Sequence, residues 1–146
     1  MTKADFHLLS LIYTRDVGKL EYFLADVSNV KRLRRRALRL GGWKLLNPLE
    51  KGILNTVVNV LTRVKSSLLL KVITEIIMKI ADYLLSNFEK TLLRNYYMLK
   101  EMLQKGAETL HNPISKLFQD EEYLFNQAWR LAVAERAGMD CRPIVS

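Results

Sequence analysis

Apolar residues recur every three or four positions along most of this chain, and the elements that spacing predicts are helices. From Leu49 the residues Ile53, Val57, Val60 and Val64 keep the period. With Leu54, Val58 and Leu61 they fill about half of a helical wheel, opposite Lys51, Asn55, Asn59, Thr62 and Arg63. The segment from Ser66 to Lys105 is longer. Leu69, Ile73, Ile76, Ile80, Leu84, Phe88, Leu92, Tyr96, Leu99 and Leu103 hold one stripe throughout, which as a single helix would be about 58 Å long. Ser86 followed by Glu89 has the spacing of a capping box, so a kink near Ser86-Asn87 competes with the unbroken helix.

A last helix is predicted from Asn112 to Ala137, with Ile114, Leu117, Phe118, Leu124, Phe125, Ala128, Trp129 and Ala132 on one face. Glu121 falls in the middle of that face. It either snorkels to the rim or pairs with an arginine of the basic segment or of another subunit. Near the N-terminus, "KADFHLLSLIYT" and "GKLEYFLADV" predict two short helices separated around Asp16–Gly18.

Punctuation supports these bounds. Gly41-Gly42 stops one helix. Asn47-Pro48 with Glu50 starts the next, with Asn as N-cap and Pro at the first helical position. Asn112-Pro113 repeats that device, and Gly138 is a C-terminal stop. The expected fold is all-α: a single-domain bundle of about five helices around one long central helix. The domain spans residues 1–138 and a tail covers 139–146.

Composition adds a size and a charge. The 146 residues are 49% hydrophobic with six glycines and three prolines, the profile of one folded helical domain. No apolar run is long enough to span a bilayer, and no small-residue cleavage site follows the N-terminal patch. Cytoplasm is the expected compartment. The net charge of +8 is uneven. Residues 1–47 hold 10 basic and 4 acidic side chains, whereas residues 112–146 hold 4 and 5. Such an excess favours nucleic acid, acidic protein or anionic lipid as partners.

Catalytic chemistry finds no foothold. The two histidines are His7 and His111. Glu108 to His111 has the Glu-x-x-His spacing of di-iron bundles, but in one copy where such sites need two. Cys141 is the single cysteine and stands in the tail without a partner signature. "RLGGWK" lacks the spacing and the preceding strand of a phosphate loop. The expectation is a non-enzyme without cofactor or metal.

The strongest feature is "VKRLRRRALRL", Val30 to Leu40, where six of the nine residues from Lys31 to Arg39 are basic. On a wheel Val30, Leu33, Ala37 and Leu40 face one way. Lys31, Arg32, Arg35, Arg36 and Arg39 face the other across about 140°, with Arg34 at the border. Lys44 follows beside Trp43. Lys31–Arg35, Arg32–Arg36 and Arg35–Arg39 are like-charged pairs four residues apart, a spacing that repels. Five of the six cations are arginines, whose planar fork suits phosphate or carboxylate.

These residues predict a face for an anionic partner. Nucleic acid, or a nucleoprotein complex, is the first choice, through Lys31, Arg32, Arg34, Arg35, Arg36, Arg39 and Lys44. "FLADVSNVKRLRRRALRLGGW" resembles a helix-turn-helix with "DVSN" as its turn, although the spacing after Ser28 is short and no wing strands follow. "RLRRRALRLGGWKLLNPLEKGIL" resembles a helix pair in GINS subunits of the replication complex, over about a sixth of the chain. That resemblance implies a nucleoprotein setting and assigns no residue a role. The alternative is a helical assembly subunit, homo- or hetero-oligomeric, whose basic face grips an acidic protein.

Overall fold

The computed structural model of the chain describes residues 1–110 and 121–138. Among them are seven α-helices and no strand, so the all-α class holds and the helix count exceeds the expected five. The helices are α1 Lys3–Thr14, α2 Val17–Leu24, α3 Val27–Leu40, α4 Pro48–Val60, α5 Ser67–Lys79, α6 Asn87–Leu110 and α7 Glu121–Arg136. Two 3₁₀ turns, Gly42–Leu45 and Ala81–Tyr83, lie between α3 and α4 and between α5 and α6. The chain divides into two compact units, Met1–Ser86 and Asn87–Ser146.

The single long helix from Ser66 to Lys105 does not form. α5 ends at Lys79, the 3₁₀ turn follows, and α6 begins at Asn87. The apolar stripe runs on regardless, because Ile80, Ala81, Leu84 and Leu85 are all buried through the break. The competing reading, a kink near Ser86-Asn87, is the nearer one: α6 starts at Asn87, but residues 80–86 interrupt the helix altogether.

In the first unit each helix is started by a side chain. Thr2, Asp16, Asp26, Asn47 and Ser66 accept backbone N–H groups at the N-termini of α1 to α5. Asn47 and Glu50 form a reciprocal capping box, at 2.8 and 2.9 Å. Glu50 also receives Lys79 of α5 at 2.8 Å. That lysine and the Asn47 N–H hold its carboxyl below the usual range.

The core of this unit is aliphatic, with Leu20, Leu24, Leu33, Leu54, Ile73 and Ile77 all fully buried. Each such side chain contributes about 1.5–3 kcal/mol by leaving water. The expected wet and dry sides of α4 hold at Leu54, Val57 and Val58, but Leu49 and Val60 are exposed. Val64 lies beyond the helix end.

The second unit pairs α6 with α7. Phe88 meets Trp129 edge to face at 5.0 Å, and Arg94 pairs with Glu135 at 2.7 Å. Glu121 is exposed in the first turn of α7, where the helix dipole favours an acid. The expected start of this helix at Asn112 lies outside the described residues. Asn112-Pro113, His111 and Cys141 lie outside the described residues.

Candidate nucleic-acid interface

The basic segment is helix α3, as its periodicity requires. Asp26 caps it, its carboxylate accepting the Ser28 N–H at 3.0 Å. Gly41 ends it at φ 94° with its N–H on the Ala37 carbonyl, a backbone conformation glycine adopts without steric cost. Val27, Val30, Leu33 and Ala37 are buried. Gly42 then passes so close to the second 3₁₀ turn that a Cβ there would lie 2.7 Å from the Tyr83 Cβ.

The seven candidate cations do not form one set. Arg34 is half-buried; its Nε donates to Asn55 Oδ1 on α4 at 2.8 Å, and its guanidinium lies 5.4 Å from the Trp43 ring centroid. Arg36, also half-buried, donates from Nη1 to the Leu84 carbonyl at 3.4 Å. It thereby serves a backbone oxygen freed where α5 gives way to α6. Arg32 faces Asp5 of α1 at 3.4 Å. The Thr2 hydroxyl, 2.7 Å from Asp5, and then Arg32 and Arg36 hold that carboxyl below its usual range.

Lys31, Arg35, Arg39 and Lys44 differ from these three. All four are exposed, and among the described residues none has a hydrogen bond or ion pair. Lys31, Arg35 and Arg39 are successive four-residue steps on α3, a single line of cations over about 12 Å of axis. The expected arc of cations is therefore split. Arg34 at one border and Arg32 with Arg36 at the other hold α3 to its neighbours, and the middle is left to solvent.

The structure adds one group that the wheel of α4 concealed. Arg63, expected on the wet side of that helix, lies past its end. It forms an antiparallel bridge with Asp26. The Ser28 N–H first, and then Arg32 and Arg63, hold the Asp26 carboxyl below its usual range. The sequence signal was a lone valine between two cations, "RVK" at residues 63–65.

Compared with known proteins, the chain matches no family model, no curated protein and no solved structure. Among the described residues no helix is long and apolar enough to cross a membrane.

Proposed function

We propose that this protein is a non-enzymatic binder of nucleic acid, or of a nucleoprotein complex, through the cations that α3 does not use internally. The observation that carries the reading is the line Lys31, Arg35 and Arg39, exposed and without a partner among the described residues. Like charges at that spacing destabilise a helix by a few tenths of a kcal/mol per pair. Nothing in the packing of α3 needs them, since its anchors are Arg34, Arg36 and the buried apolar face. A partner carrying regularly spaced negative charge removes that repulsion and releases counterions.

The contacts would be to phosphate and not to bases. Trp43, the aromatic residue beside these cations in sequence, has Arg34 over one face of its ring, which takes that face from base stacking. Binding should be indifferent to sequence. The test is anisotropy of a labelled mixed-sequence DNA duplex. Lys31, Arg35, Arg39 and Lys44 replaced together by Gln should weaken binding of every duplex alike. A variant that binds as the wild type refutes the reading.

One observation favours the second reading, an acidic protein partner in a helical assembly. The same face already holds a carboxylate, Asp5 on Arg32. Competition separates the two: polyglutamate that displaces the duplex at equal charge concentration favours the acidic protein.

A further inference from the structure

Residues 61–66 connect α4 to α5 and carry Arg63 and Lys65, both exposed. Between them Val64 is 5% exposed. Its N–H donates to the Ala25 carbonyl at 3.0 Å, and Arg63 bridges to Asp26. Successive side chains of extended backbone point to opposite sides. A buried Val64 therefore turns both Arg63 and Lys65 outward. Ala25 and Asp26 are the residues immediately before α3, and Asp26 is its N-cap. Two cations thus stand on pinned backbone at the end of the helix from which the line of Lys31, Arg35 and Arg39 runs.

We propose that Arg63 and Lys65 extend the phosphate-binding surface of α3 past its N-terminus, so that one strand of a nucleic-acid duplex runs from residues 61–66 along Lys31, Arg35 and Arg39. The proposal rests on the reading of α3 as a phosphate-binding face. Asp26, the acid that would repel a phosphate at this junction, is already engaged. It accepts the Ser28 N–H and has Arg63 and Arg32 beside it. Asp26 to Arg39 covers about 20 Å of helix axis. With one phosphate per about 3.4 Å of a single strand, that track matches about six nucleotides.

The experiment measures duplex affinity against salt for the full chain, as wild type, as R63Q/K65Q and as the charge-keeping R63K/K65R. Each phosphate contact contributes about 0.9 to the log–log slope. Losing two should flatten the slope by about 1.8. The fall in affinity between about 50 and 200 mM salt then becomes about twelvefold smaller. R63K/K65R should keep the wild-type slope. An unchanged slope in R63Q/K65Q, with the slope lost in K31Q/R35Q/R39Q, overturns this extension and leaves the reading of α3 standing. If neither set moves the slope, both fall. Equal loss in R63Q/K65Q and R63K/K65R also overturns the extension, because the effect would then not be one of charge.

Discussion

Arg34 and Arg35 are neighbours of the same type, and the structure gives them opposite work, so substituting each by Gln is a sharp test. Arg34→Gln removes a charge-assisted hydrogen bond to Asn55 at 2.8 Å and a guanidinium 5.4 Å from the Trp43 centroid. A hydrogen bond to a charged group contributes about 1.5–3 kcal/mol when buried, and a cation–π contact about 0.5–1 kcal/mol at an exposed site. Arg34 is half-buried, which puts the sum toward the lower end, about 2 kcal/mol. In a chain of 146 residues that is a fall in melting temperature of about 6–7 °C. Arg35→Gln removes no contact and relieves repulsion from Lys31 and Arg39, so its melting temperature should match or slightly exceed the wild type. The assay is thermal melting followed by circular dichroism, with Asn55→Ala added to close a double-mutant cycle that isolates the pair. Equal melting temperatures for the two variants would refute the division of the basic helix into anchoring and free cations.

Other consequences follow from single contacts. Gly42→Ala would bring its Cβ to 2.7 Å from the Tyr83 Cβ and 3.4 Å from the Ile80 Cβ. It should destabilise the first unit by about 1–3 kcal/mol, and a melting temperature equal to wild type would contradict that packing. Asn95 is 3% exposed, and its Nδ2 has no hydrogen-bond partner among the described residues. Asn95→Leu should therefore raise stability by about 1 kcal/mol in a denaturant titration; a loss of stability would show that the amide is satisfied. Asp5, Asp26 and Glu50 all have carboxyls held below their usual range. Their contribution is present above the unfolded carboxylate range, about pH 4, and is lost as pH falls through the lower folded values. Melting temperature should drop on acidification below about pH 4, less so in Asp26→Asn; a flat profile would count against these pairings.

Features set by a few neighbouring residues were legible in the sequence. The capping box at Asn47 and Glu50 and the left-handed stop at Gly41 need only the residues they contain. The break between α5 and α6 was ambiguous for a physical reason. Ile80, Leu84 and Leu85 are buried whether or not the helix continues, so the apolar period survives a turn that the backbone does not.

The candidate site was half legible. A wheel separates wet from dry, and it put Val30, Leu33 and Ala37 inside correctly. It cannot say that Arg36 finds the Leu84 carbonyl 48 residues away or that Arg34 finds Asn55. Arg63 was assigned to α4 because the chain's return past Asp26 is a long-range pairing with no local signature beyond one valine between two cations.

If Lys31, Arg35, Arg39 and Lys44 serve an anion while Arg34 serves the fold, binding and stability separate when the two sets are substituted. The measurement is the salt dependence of binding to a mixed-sequence duplex, made for wild type, for K31Q/R35Q/R39Q/K44Q and for R34Q at a temperature where all three are folded. Four phosphate contacts account for about 3.6 of the log–log slope. The quadruple variant should lose that amount with its melting temperature intact, whereas R34Q should melt earlier and keep the wild-type slope. A quadruple variant with the wild-type slope, or an R34Q variant that loses as much slope, would show that the cations are not divided between anion and fold.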